Sequence, residues 1–157
     1  MAKSYAKQKG RAEKGIFFGL PLNLINTGKY RSLSHHAVKL LVDIGSQYRG
    51  FNNGDLCAAW SVMRQCGWRS RSTLFNAKNE LLDVGFIMVT RQGGRNCPTL
   101  YAITWKAIDE CKGKLDVEPT KAPPGGWLDC SDENKSLTRI ARDLNTHSES
   151  MRVKQAI

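Results

Sequence analysis

Acidic residues are scarce in this chain: 14 Asp and Glu stand against 24 Lys and Arg in 157 residues, a formal net charge of +10. Such a balance says little about fold, but it points to polyanions or anionic membrane surfaces as partners. Long apolar runs are missing as well. No stretch approaches the roughly 20 residues needed to cross a bilayer, and the opening Met-Ala-Lys-Ser-Tyr-Ala-Lys has no apolar core of a signal peptide. The five cysteines are odd in number and include no Cys-x-x-Cys pair, which argues against a secreted disulfide framework. Free thiols in the cytoplasm are the plain expectation.

Catalytic signatures are missing too. There is no Ser/His/Asp elbow, no paired-carboxylate arrangement and no phosphate-cradling loop. Gly93-Gly94 stands outside the Gly-x-x-x-x-Gly-Lys-Ser/Thr context that a nucleotide loop requires. His35 and His36 are neighbours at a helix start, and Cys57, Cys66, Cys97, Cys111 and His147 show no tight ligand spacing. The expectation is a protein that is not an enzyme and needs neither metal nor cofactor.

The positive charge is unevenly spread. Residues 1–15 carry five cations and one acid, residues 16–112 twelve and six, and residues 113–157 seven of each. The first fifteen residues read as a disordered basic arm. One compact domain follows over 16–112, long enough to build a core. Over 113–130 periodicity vanishes, and Pro119, Pro123, Pro124, Gly125 and Gly126 mark a linker, with Trp127 as a lone anchor. Over 131–157, Ser131 caps a short amphipathic helix with the stripe Leu137, Ile140, Ala141 and Leu144. A helix that short is marginal alone in water, so its stripe needs its own domain, a second copy or another protein. A chain cut after Lys112 is expected to fold.

Within the domain, Phe18-Gly19-Leu20-Pro21 ends a short extended segment, and Leu22 to Ile25 read as one helical turn. Ser34 caps a first helix whose stripe is Ala37, Leu40, Leu41 and Ile44. Asn53-Gly54 is strong turn chemistry. Asp55 caps a second helix through Leu56, Ala59, Trp60 and Met63, closing at Gly67. Ser70 opens a third, with apolar Leu74, Ala77, Leu81 and Leu82, and Gly85 stops it. Phe86 to Thr90 and Leu100 to Thr104 form a hairpin whose turn holds Arg91, Gln92, Gly93, Gly94 and Arg95. Lys106 to Cys111 read as a last helical turn. Trp60, Trp68 and Trp105 are assigned to core packing, with stacking on single-stranded bases as the sharper alternative.

Residues 34–104 resemble a winged helix-turn-helix domain. The resemblance rests on Ala37-x-x-Leu40-Leu41, on Asn53-Gly54-Asp55-Leu56, and on Ser72-Thr73-Leu74 with Leu81 and Gly85-Phe86-Ile87. Thr90-Arg91-Gln92-Gly93-Gly94 and Pro98-Thr99-Leu100-Tyr101-Ala102-Ile103-Thr104-Trp105 look like small helix-turn-helix proteins of phages, plasmids and integrated elements. The implied fold is α+β, a three-helix core plus a β-hairpin wing. The implied partner is double-stranded DNA, with helix three in the major groove. Arg69, Ser70, Arg71, Ser72, Thr73, Asn76 and Lys78 then stand at or on the reading helix, and Arg91, Gln92 and Arg95 in the wing. Lys7, Lys9 and Arg11 lie on an arm that follows the backbone or a minor groove. Phe75 departs from the polar pattern expected at an exposed reading position, and core packing is the preferred reading for it.

Two functions stay open at this point. One is a duplex-DNA-binding protein of a mobile element, a transcriptional regulator or replication accessory, binding alone or as a homodimer. The other is a protein-interaction module, an inhibitor or adaptor of a host complex, that keeps the same frame without sequence-specific DNA binding. Charge alone leaves RNA as a third partner.

Overall fold

The computed structural model describes residues 18–128. The basic arm with Lys7, Lys9 and Arg11 and the helix expected over 131–157 lie outside the described residues. In chain order the elements are α1 (Leu22–Ile25), α2 (Gly28–Arg31), α3 (His35–Gly45), β1 (Leu56–Cys57), α4 (Trp60–Gln65), α5 (Arg71–Asp83), β2 (Ile87–Arg91) and β3 (Leu100–Ile103), with a 3-10 turn at Cys111–Gly113. The architecture is mixed α+β, with helices packed beside one antiparallel sheet of strand order β1-β3-β2. None of the helices in the described residues is long and apolar enough to cross a membrane.

The two long helices form where serine caps meet apolar stripes. Ser34 Oγ accepts from the Ala37 N–H at 3.2 Å, and α3 then buries Ala37, Leu40, Leu41 and Ile44. Ser70 Oγ accepts from the Thr73 N–H at 3.3 Å, and α5 buries Leu74, Ala77 and Leu81 against α3. The Glu80 carboxylate of α5 accepts from both the N–H and the hydroxyl of Ser34, each at 2.6 Å. One helix thereby helps cap the other. At the end of α5, the Phe86 N–H reaches the Leu81 carbonyl at 3.0 Å and the Gly85 N–H the Leu82 carbonyl at 3.1 Å. This double bond pattern needs a left-handed residue at Gly85, whose φ is +78°. A single helical turn not expected from the sequence, α2, is started by the Thr27 hydroxyl, which accepts from the Tyr30 N–H at 3.1 Å.

The second helix begins later than its spacing suggested. Leu56 fits a helical stripe by period, yet it pairs with Tyr101 of β3 instead. The helix starts at Trp60, with Ala59 at the N-cap and no side-chain capping bond. Asp55 caps nothing there; its carboxylate accepts from the Lys114 ammonium at 2.6 Å. Tertiary pairing with β3 outweighs the local period.

Asn53 is wholly buried and serves as a polar hub. Its Nδ2 donates to the carbonyls of Ile103, Lys106 and Ala107 at 3.0, 3.1 and 2.8 Å. Its Oδ1 accepts from the Ile103 N–H at 2.8 Å, and its own N–H donates to the Asp109 carboxylate at 2.7 Å. Because Lys106 and Ala107 give their carbonyls to this amide, the helical turn expected over 106–111 does not form. Only the 3-10 turn at Cys111–Gly113 follows.

The stretch expected as a linker differs most from its expectation. Up to residue 128 it lies along the domain as a strap. The Asp116 N–H donates to the Thr90 carbonyl of the edge strand β2 at 2.8 Å, the Thr120 N–H to the Ile108 carbonyl at 3.0 Å and the Gly125 N–H to the Thr104 carbonyl at 3.0 Å. Trp127 is 5 % exposed and joins the core. A Cβ on Gly85 would overlap the Gly126 carbonyl, so two glycines let the strap's backbone touch the end of α5. Backbone bonds rather than an apolar stripe hold the strap, which is why its sequence shows no period.

Cutting the chain after Lys112 should therefore destabilise the domain by several kcal/mol, since it uncovers the site of Trp127. Chemical denaturation of the cut and full chains checks this, and equal midpoints would return 113–128 to the status of a linker. Asn53→Ala should cost about 3 kcal/mol, because several buried backbone groups lose their partner together. The expected fall in melting temperature is about 10 °C or more, read by circular dichroism.

Candidate nucleic-acid interface

Helix α5 is polar and open on the side away from its core stripe. Ser72, Phe75 and Asn76 are exposed, and so is Arg71 at its start. The first turn carries no acid, so nothing there opposes an incoming anion. Phe75 is 55 % exposed, which overturns its assignment to the core. It follows Leu74 by one residue, a step of about 100° around the helix, and so leaves the stripe of Leu74, Ala77 and Leu81. The Lys78 ammonium lies 4.9 Å from the Phe75 ring centroid. The Arg71 guanidinium lies 5.4 Å from that of Trp60.

The tryptophans divide accordingly. Trp68 and Trp105 are buried, and the Trp68 indole N–H donates to the Asp43 carboxylate at 2.7 Å. Trp60 is only half-buried and walls an open cleft.

The hairpin turn is tighter than a Gly-Gly tip. The Gly94 N–H donates to the Cys97 carbonyl at 2.9 Å, and the Cys97 N–H donates back to the Gly94 carbonyl at 3.1 Å. Arg95 and Asn96 are therefore the two tip residues, with Asn96 at φ +63°. Gly93 sits lower, where its N–H donates to the Thr99 hydroxyl at 3.1 Å and a Cβ would crowd Thr99. Arg91 and Arg95 do not share one environment. Arg95 is exposed, whereas Arg91 is half-buried at the end of β2. Its Nη2 donates to the Pro98 carbonyl at 3.2 Å, and its Nε is enclosed without a partner. Arg91 braces the hairpin. The Gln92 side chain is exposed, while its N–H is held by the Asp116 carboxylate at 2.9 Å.

A cleft of about 270 Å³ joins the helix to the hairpin base, lined among others by Trp60, Arg71, Phe75, Lys78, Thr99 and Tyr101. Arg71 and Lys78 thus share a wall with β3. Burial pushes the Tyr101 hydroxyl above its usual value, with the Thr99 hydroxyl pulling the other way, so it stays protonated and able to donate at neutral pH. The ion pairs of the described residues engage Lys39 and Lys114. Arg69, Arg71, Lys78 and Arg95 are not among them.

Of the residues expected in a nucleic-acid site, α5 brings Arg71, Ser72, Asn76 and Lys78 together at its surface. Arg69 is exposed just before it. The Ser70 hydroxyl is spent on the cap, accepting from the Thr73 backbone N–H. Arg95 stands at the hairpin tip, and Lys7, Lys9 and Arg11 lie outside the described residues. The sequence reading did not single out Thr99, just before β3, or Tyr101 on it, which line the cleft. Among the described residues no group of three or more His, Cys, Asp or Glu is placed to hold a metal ion.

Ser70→Ala removes the cap of the helix that carries this surface. The expected loss is about 1 kcal/mol, seen as a lower melting temperature and faster amide exchange at Thr73. Unchanged exchange there would mean that the first turn is held by other contacts. No family model, no curated protein and no solved structure matches this chain.

Proposed function

We propose that the chain is a winged helix-turn-helix protein that binds duplex DNA, with α5 in the major groove and the β2–β3 hairpin as its wing. The role that suits it is that of a transcriptional regulator or replication accessory of a mobile element. The observation that carries this reading is the surface of α5. Its first two turns offer Arg71, Ser72 and Asn76 to solvent, with Arg71 and Lys78 facing the hairpin base. The element order supports it, since β1 lies between α3 and α4 and pairs with β3. An unpaired cation at the hairpin tip supplies the wing's contact to phosphate.

The chemistry divides between two kinds of contact. Arg71, Lys78, Arg95 and Arg69 neutralise phosphates and set affinity, with log K falling by about 0.9 per contact for each decade of salt. Ser72 and Asn76 are short, uncharged and able to hydrogen-bond base edges, so they carry sequence preference. One observation favours the second reading, a protein-interaction module: the exposed Phe75 ring is apolar surface of the kind that protein interfaces use.

Fluorescence anisotropy with random and promoter-proximal duplexes at two salt concentrations separates the two. Tight, sequence-dependent binding is the expected result; weak, sequence-blind binding favours the interaction module, and stronger binding to an RNA duplex would redirect the reading to RNA. Arg95→Ala should reduce the salt slope by about 0.9 without lowering stability. Arg91→Ala should instead lower the melting temperature, because it loosens the hairpin. If the Arg95→Ala slope is unchanged, the wing is not in the interface.

A further inference from the structure

We infer that the cleft between α5 and the hairpin base holds one unpaired nucleotide, a base with its phosphate, at the end of a nucleic-acid strand. Its volume of about 270 Å³ lies just under the usual range for ligand pockets, about 300–1,000 Å³, which suits a single ring system. Two of its walls are aromatic, Trp60 and Phe75. Stacking on such rings tolerates any base. Phe75 is 55 % exposed on an otherwise polar helix face, and core packing gives no reason for it.

The polar groups match the rest of a nucleotide. Arg71 and Lys78 are each held over a ring, at 5.4 and 4.9 Å from the centroids, and neither joins an ion pair among the described residues. Ring contacts of this kind position a cation without neutralising it, so both remain able to take a phosphate. Across the cleft stand the half-buried Thr99 and the buried Tyr101, whose hydroxyl is engaged with Thr99. A phosphotyrosine side chain also combines a ring with a phosphate. A nucleic-acid strand is favoured because the cleft adjoins Ser72 and Asn76 on α5, and in this respect the inference rests on the proposed duplex binding.

The test uses the full chain and three probes: a blunt duplex, the same duplex with a one-nucleotide overhang, and free dAMP. The overhang should bind about tenfold tighter than the blunt end, as one stacked base provides. Phe75→Ala, at an exposed position that folding does not need, and Lys78→Gln should each bring that ratio close to one. If blunt duplex binds but the overhang adds nothing and dAMP leaves tryptophan fluorescence unchanged, the cleft inference falls while duplex binding stands. If duplexes fail to bind but dAMP quenches the fluorescence saturably, and Phe75→Ala removes that quenching, the cleft stands as a free-nucleotide site and duplex binding falls. Displacement of the overhang duplex by a phosphotyrosine peptide, but not by dAMP, would overturn the nucleotide assignment.

Discussion

The side-chain amide of Asn53 is the constraint on which the rest of the arrangement depends. A buried amide is expensive to leave unsatisfied and strongly directional when satisfied. Here it fixes the loop after α3 against the end of β3 by bonds in both directions with Ile103. The neighbouring Gly54 carbonyl accepts from the Thr90 hydroxyl at 2.6 Å, which ties β2 to the same loop. With both ends of the sheet located by this loop, Leu56 meets Tyr101, and the chain turns directly into Ala58, Ala59 and Trp60. That is the path by which Asn53 helps place Ala58, Ala59, Trp60 and Tyr101, which line the cleft. An apolar residue of similar size would fill the space but choose no register.

Much of the frame was legible because it rests on local chemistry. Ser34 and Ser70 cap helices, Gly85 stops one, and the stripes of α3 and α5 match their buried residues. These signals lie within a few residues of what they determine. What stayed hidden depends on partners distant in sequence. Leu56 belongs to a two-residue strand that exists only because β3 lies beside it. Lys106 and Ala107 give up a helical turn to an amide some fifty residues earlier. The strap over 113–128 has no period because its backbone makes its attachments.

The candidate site was legible in outline and misread in detail. Charge and helix position pointed to Arg71, Ser72, Asn76 and Lys78 on α5, where the first three are exposed and Lys78 is half-buried. Composition could not separate Arg91 from Arg95, since both are arginines flanking the Gly93-Gly94 pair in the hairpin turn. Only the bond to Pro98 and the two-residue tip distinguish a brace from a free cation. Phe75 was misread because aromaticity suggested burial, whereas its place one step beyond Leu74 puts it on the surface.

The strap also bears on how the hairpin behaves. Strand β2 is an edge strand, and such edges invite pairing with other chains unless covered. Asp116 covers it at the hairpin's root, donating to Thr90 and accepting from Gln92, while Gly93 is held by Thr99 from the other side. The root is therefore held on both flanks, and Arg95 and Asn96 stand exposed beyond the Gly94–Cys97 bridge. In the proposed complex, an exposed tip on a held root would present Arg95 to phosphate without disturbing α5. Long-range attraction in that proposed duplex complex would come from Arg95 and the ring-held cations, screened beyond about 10 Å at moderate salt. In the proposed complex, recognition would fall to Ser72 and Asn76, which carry no charge to screen. On that proposal affinity and preference lie on different side chains, and salt should weaken the first far more than the second.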